Sequence, residues 1–198
     1  EVGNVRSGNL TYGHRFMHPG AIQVKDFKSY LKKMGEAFVI VDPLERKKKI
    51  EEEMIREVAS VSGRVLKDEE LLDEVTFLVE YPVALCGNFD SAFLSLPREV
   101  VIHSMKEHQR YFPLEDESGA LLPNFVCISN TEPKDRTIVV KGNERVLKAR
   151  LSDADFFFQD DLKIPLEKRL EALKKVVFQA KLGTSYEKVM RFTKLALF

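Results

Sequence analysis

The histidines of this chain fall in two pairs, His14 with His18 and His103 with His108. The first pair has the i, i+4 spacing by which a helix offers two imidazoles to zinc. Gly13 and Pro19 oppose a helix there, and the glutamate of an H-E-x-x-H motif is missing, so no metal ligands are assigned. Gly13, His14, Arg15 and Phe16 instead form a flexible turn with donors and an aromatic ring, suited to RNA or to packing against a neighbouring strand. In the second pair His108 follows Ser104 by four residues, a spacing at which an imidazole can activate a hydroxyl. No third group is placed to orient that ring, no oxyanion donors are identifiable, and Ser104 lacks the glycine-flanked turn of a nucleophile elbow. No catalytic residue is assigned.

Two further groups carry binding chemistry. Lys106, Gln109, Arg110 and Tyr111 combine donors with a stacking ring, the residue types that grip phosphates and unstacked bases, although a solvated surface uses them too. Asn143 and Arg150 project beside an apolar stripe of Leu147, Leu151, Ala154 and Phe158 and are either structural clamps or ligand hooks. Their place beside that stripe predicts that both are mainly internal. There is no P-loop, G-x-G-x-x-G or adjacent His-Asp pair, so this segment by itself is not expected to activate a nucleotide or to hold a cofactor.

The elements that must position these residues read as follows. Val2 to Val24 is irregular and strand-like, and Asp26 to Met34 a short helix followed by a buried strand at Phe38 to Val41. Asp42, Pro43 and Glu45 mark a helix start with a capping box. That helix is expected to run to Ser62 and stop at Gly63, with Ile50, Met54, Val58 and Val61 inward and Arg46 to Lys49 on a solvated face. Asp68 to Val79 is a helix with Leu71, Leu72, Val75, Leu78 and Val79 inward, and Tyr81 to Phe89 a strand. Pro97 opens a helix over Arg98 to Gln109, in which His108 shares the apolar face of Val101 and Met105. Tyr111 to Leu114 and Leu121 to Ser129 pair around a turn at Ser118 and Gly119. From Asp135 the period is helical: Arg136 to Asp161, then Pro165 to Leu182 with Leu166, Leu170, Leu173, Val177 and Ala180 inward, Gly183 as C-cap, and a last helix from Thr184. The fold class is α+β, with an α+β module over residues 1–134 and a helical segment over residues 135–198.

Composition sets the bounds. With 198 residues and 44% hydrophobic content the chain can bury a core. No apolar run approaches the ~20 residues of a membrane span, so no membrane partner and a cytoplasmic location are expected. Cys86 and Cys127 lack C-x-x-C spacing and sit in apolar surroundings, as buried thiols do. Net charge is zero, yet residues 61–134 hold 6 Lys and Arg against 13 Asp and Glu, whereas residues 135–198 hold 14 against 9. Such a basic excess attracts phosphate or merely solvates helix faces. The start at Glu1 and the stop at Phe198 within an apolar helical pattern read as a fragment of a longer chain.

Several strings of residues carry a resemblance. They are Thr11-Tyr12-Gly13-His14-Arg15-Phe16 with His18-Pro19, Ser104-Met105-Lys106 with His108-Gln109-Arg110-Tyr111-Phe112-Pro113, and Gly142-Asn143-Glu144-Arg145-Val146-Leu147 with Ala149-Arg150-Leu151 and Asp153-Ala154. Together with Phe156-Phe157-Phe158 and Lys174-Lys175-Val176-Val177-Phe178-Gln179, they run collinearly through nearly the whole chain, which resembles the beta subunit of the bacterial heterotetrameric glycyl-tRNA synthetase. Tyr12 departs from the arginine usual in that family's run. The resemblance implies a ligase whose ATP (with Mg) and glycine are handled by a separate alpha subunit, while the beta subunit binds tRNA(Gly). The implied partners are tRNA(Gly), the alpha subunit and a second beta subunit. It further implies an internal module similar to B3/B4 domains, leading into a helical HD-like domain.

Three functions follow as expectations. The first is a non-catalytic tRNA-engaging or scaffolding segment, with Arg15, Lys106, Arg110, Arg145, Lys148 and Arg150 as RNA contacts and His14, His108 and Asn143 as structural or cleft residues. The second is an editing hydrolase for misacylated tRNA, which a cleft lined by Ser104 and His108 would favour. Glycine is the smallest amino acid, so steric exclusion reduces the need for editing. The third is a purely structural scaffold, which Arg150 buried against carboxylates would favour.

Overall fold

The structure, a computed structural model, describes residues 3, 4 and 6–197; Val2, with which the strand-like N-terminal segment was expected to begin, lies outside the described residues, as do Glu1 and Phe198. The chain divides into two compact units, Glu1–Ser152 and Asp153–Phe198.

The first unit begins with a hairpin of β1 (Leu10–Tyr12) and β2 (Ala21–Gln23), then α1 (Phe27–Glu36), α2 (Pro43–Val58), β3 (Arg64–Val65) and α3 (Glu69–Leu78). An aspartate starts each of these helices by accepting a backbone N–H that the first turn leaves unpaired: Asp26 from Ser29, Asp42 from Leu44 and Asp68 from Leu71. The capping box belongs to α1, through Ser29, and not to α2, where Asp42 turns back on Leu44 instead of engaging Glu45. Next come β4 (Val83–Asn88), a 3-10 turn at Ser91–Ser95, α4 (Arg98–Gln109), β5 (Phe112–Glu115), β6 (Leu121–Ser129) and α5 (Arg136–Lys163), which runs on into the second unit.

Strands β3, β5, β6 and β4 form one antiparallel sheet in that order. The hairpin between β5 and β6 turns on Asp116, whose carboxylate accepts from Ser118 and Ala120 N–H, and on Gly119 at φ +85°, a conformation that favours glycine. One sheet face, with Ala84, Phe112, Leu114 and Val126, packs with Ile50, Met54 and Val58 of α2 and Leu71, Leu72 and Val75 of α3 in a single apolar cluster. The alternate residues Leu85, Phe125 and Cys127 are buried as well, and the Tyr111 ring stacks on Phe125 at 4.7 Å. Gly87 is required there, because a Cβ would lie 2.6 Å from the Phe125 ring.

Several local expectations are corrected. Residues 38–41 form no strand: Phe38 takes a left-handed φ of 60°, and Val39 N–H bonds back to Met34 O to close the end of α1. Helix α2 stops at Val58, and Gly63 serves the sheet, where a Cβ would meet Glu115 O at 2.9 Å. The Arg46–Lys49 run is not simply solvated. Arg46 donates to Ile40 O and Thr76 O, and Lys47 bridges Glu69 and Asp73. Leu78, expected inward, is exposed at the last residue of α3, while Val79 just past it is buried.

In the second unit the helix expected over 165–182 is replaced by α6 (Leu166–Arg169), a 3-10 stretch at Leu170–Lys175 and a hairpin of β7 (Val177–Gln179) with β8 (Gly183–Thr184). The stripe of Leu166, Leu170 and Leu173 has helical spacing, but Val176, Val177 and Phe178 prefer an extended backbone once a partner strand is present. Gly183, at φ +83°, does not end a helix; it precedes α7 (Ser185–Ala196), which Thr184 and Glu187 start with a capping box.

Candidate nucleic-acid interface

His14 is fully buried. Its Nδ1 accepts from the N–H groups of Phe16 and Met17, both at 3.2 Å, so Nε2 carries the proton and donates to Asn130 O at 2.7 Å. The His14 N–H donates to Ala37 O. This imidazole is a structural pin. It holds the turn so that Arg15 and Phe16 stand in solvent, with the guanidinium 5.9 Å above the Phe16 ring.

On α4 Ser104 and His108, weighed above only as the basis of the editing alternative, do not pair. Ser104 Oγ donates to Val100 O at 2.8 Å, while His108, expected to be on the apolar side, is exposed and lies edge-on to His103. His108 sits in the last turn of α4, one residue before the helix ends at Gln109, whereas Val101 and Met105 on the same helix are buried. Lys106 pairs with Asp68 at 2.8 Å and Glu70 at 3.5 Å, and the hydrogen bond to Asp68 raises its pKa. Arg110, in a left-handed C-cap conformation at φ 57°, pairs with Glu74 and donates to Glu107 O. Both cations of this cluster are therefore engaged with α3 or with their own helix end.

Beside them Tyr111, Asn143, Cys127 and Ser129 line a cavity of about 370 Å³. Tyr111 donates to Asn143 Oδ1 at 2.6 Å, and Asn143 Nδ2 donates to Val139 O at 2.9 Å. Burial raises the Tyr111 phenol and pushes the Cys127 thiol up to about 12, which keeps that sulfur from acting as a thiolate nucleophile at neutral pH. Asn143 is thus half-buried, its amide held between the Tyr111 hydroxyl and Val139 O. Arg150 is not: it is exposed. At 100° per residue it stands about 60° from Leu147 and about 100° from Leu151, so it projects from the edge of their buried stripe into solvent.

The other α5 cations behave differently from the α4 pair. Lys141, Arg145 and Lys148 recur at i, i+4 and i+7, so they share one helix face over about 10 Å, and all three are exposed. No carboxylate pairs with any of them among the described residues. Arg136, at the start of the same helix, is instead occupied by Glu57 and Glu132. Lys141 was not singled out from the sequence, although its spacing from Arg145 and Lys148 was the signal to read. Arg150 lies about 140° around the helix from Arg145 and is not part of this stripe. Among the described residues no group of histidine, cysteine and carboxylate side chains is arranged to hold a metal ion, and no helix is long and apolar enough to cross a membrane.

Comparison with known proteins places these features in one family. The model of the glycyl-tRNA synthetase beta subunit matches residues 1–198. Among curated relatives, the glycine–tRNA ligase beta subunit of Syntrophotalea carbinolica is 56% identical over 195 residues, and that of Geotalea daltonii 57% identical over 194. The Geobacter sulfurreducens protein of the same name is 55% identical over 194 residues. In each case the match covers 98% of this chain and 28% of the relative.

Proposed function

Since the chain belongs to the glycyl-tRNA synthetase beta subunit family, we propose that it is a non-catalytic, tRNA-engaging segment of a glycine–tRNA ligase. It would support attachment of glycine to tRNA(Gly) by an alpha subunit that uses ATP and magnesium, within a cytoplasmic complex containing a second beta subunit. On this reading residues 1–134 are a B3/B4-like module, and residues 135–198 lead toward an HD-like helical domain. The observation that carries the RNA contact is the unpaired stripe of Lys141, Arg145 and Lys148 on α5. A row of lysine and arginine side chains not neutralised within the protein binds backbone phosphates and releases their counterions. Lys106 and Arg110 are poorer candidates, because a phosphate would have to displace Asp68 or Glu74. Nothing in the placement of Ser104 and His108 favours the editing alternative.

The test is binding of tRNA(Gly) by the 198-residue chain across a salt series, alone and with Lys141→Ala, Arg145→Ala and Lys148→Ala. Each substitution is expected to flatten the salt slope by roughly 0.7–0.9 units, with similar losses for unrelated RNAs, since phosphate contacts carry little sequence information. A triple variant that binds with the wild-type slope sinks the reading.

A further inference from the structure

The N-terminal hairpin has a face that none of the described residues of its unit covers. The register Leu10↔Gln23, Thr11↔Ile22 and Tyr12↔Ala21 places Leu10, Tyr12, Ala21 and Gln23 together on one side, and all four are exposed. Thr11 and Ile22, on the other side, are half-buried. Tyr12 is 66% exposed, and Phe16, on the turn that buried His14 pins, is 77% exposed. Phe27, at the first turn of α1, is 73% exposed and stacks with Tyr30 at 6.5 Å. Aromatic rings left in water at this density mark a contact surface.

The charges say of what kind. Residues 10–36 contain Arg15, Lys25, Lys28, Lys32 and Lys33 against only Asp26 and Glu36. Both carboxylates are occupied: Asp26 caps α1 and Glu36 pairs with Lys32. Arg15, Lys25 and Lys28 are left without a carboxylate partner among the described residues, and the Arg15 guanidinium already lies over Phe16. An exposed ring on the strand face, Tyr12, and one on the adjoining turn, Phe16 under the Arg15 guanidinium, with further cations close by in the chain, are what stacks and neutralises unpaired nucleotides; an apolar protein partner would have to bury the cations without counter-charges. We propose that the β1–β2 hairpin, with Tyr12, Phe16 and Arg15, is a stacking platform for single-stranded RNA. Double-helical RNA does not fit this role, because its bases are already stacked and their faces are hidden. The proposal rests on the RNA-engaging reading above but uses a different surface from the α5 stripe, and it places Arg15 on that platform.

The experiment compares binding of a short single-stranded RNA and a blunt RNA duplex of the same sequence. The proteins are the 198-residue chain, Tyr12→Ala, Phe16→Ala, Phe16→Tyr and the α5 variant lacking Lys141, Arg145 and Lys148. Circular dichroism confirms that each is folded, which the exposure of the substituted side chains leads one to expect. Tyr12→Ala and Phe16→Ala should each weaken single-strand binding by roughly fivefold to 100-fold and leave duplex binding within twofold. Phe16→Tyr should bind like the parent. The α5 variant should weaken both ligands. If the ring variants bind the single strand as the parent does, or weaken single strand and duplex alike, the platform is overturned while the α5 reading stands on its own slope. If they keep single-strand binding and instead lose association with the alpha subunit, the face is a protein contact and the proposal fails. If the chain binds no single strand at low salt, it fails as well.

Discussion

Tyr111→Phe removes one oxygen from the contact that ties α5 to the sheet and leaves everything else about the ring in place. The stack on Phe125, at 4.7 Å and 16° between planes, does not need the hydroxyl. What is lost is the 2.6 Å bond to Asn143 Oδ1, which leaves that oxygen short of a partner in a half-buried position while its amide remains on Val139 O. A hydrogen bond between neutral groups contributes about 0.5–1.5 kcal/mol net, and a stranded acceptor costs about 1–3 kcal/mol. Partial exposure of Asn143 keeps the expected loss near the low end, about 1–2 kcal/mol. Asn143→Ala should cost a similar amount by stranding the phenol, which is more deeply buried. The double variant strands neither group, so its loss should fall short of the sum by about 1 kcal/mol. Urea unfolding of the four proteins, followed by far-UV circular dichroism, reads this coupling directly, and at roughly 2–4 °C per kcal/mol thermal melts should agree. Effects that add within about 0.3 kcal/mol would show that the bond contributes nothing to joining helix and sheet.

His14→Ala deletes one donor and the acceptor for two backbone N–H groups in a fully buried site, so a loss of about 2–4 kcal/mol in thermal or urea denaturation is expected. Gly87→Ala drives a methyl into the buried Phe125 ring and should cost about 1–3 kcal/mol, whereas Gly20→Ala, with nothing within 4 Å, should change stability little. Hydrogen bonds from Arg64 and then Arg98 hold the Glu115 carboxyl below its ordinary value of 4.5. The unfolded chain therefore binds the proton first as pH falls. The stabilisation is present above 4.5 and is lost as pH drops through the lower folded value, so Glu115→Gln should flatten the acid limb of a stability-versus-pH curve. Lys106→Ala and Arg110→Ala should lower stability slightly and leave the salt slope of RNA binding near that of the parent, unlike Lys148→Ala, because Asp68 and Glu74 already neutralise them.

The sequence by itself determined the elements whose causes are local. Pro97 at the N-cap of α4 and the end of the helix at Gln109 were legible, as were the β5–β6 pair around Ser118 and Gly119 and the buried stripe of Ile50, Met54 and Val58. Periodicity and caps act within a few residues, so they leave their mark in the string itself. The collinear motifs likewise sufficed to indicate the family. Tertiary structure alone decided what each polar side chain faces. His14 is a pin because Asn130, far along the chain, puts a carbonyl 2.7 Å from it. Lys106 and Arg110 are paired because α3 brings Asp68, Glu70 and Glu74 alongside α4, whereas among the described residues no carboxylate pairs with Lys141, Arg145 or Lys148, and the neighbouring Glu144 accepts from Asn88 N–H instead. The same holds for residues 176–184, where the pairing of Val177 with Thr184 overrides a helical apolar spacing. A charge or a β-branched run carries its chemistry in its own atoms, but its partner is supplied by chain that is distant in sequence, and the partner determines whether that chemistry stabilises the fold or remains available to a ligand.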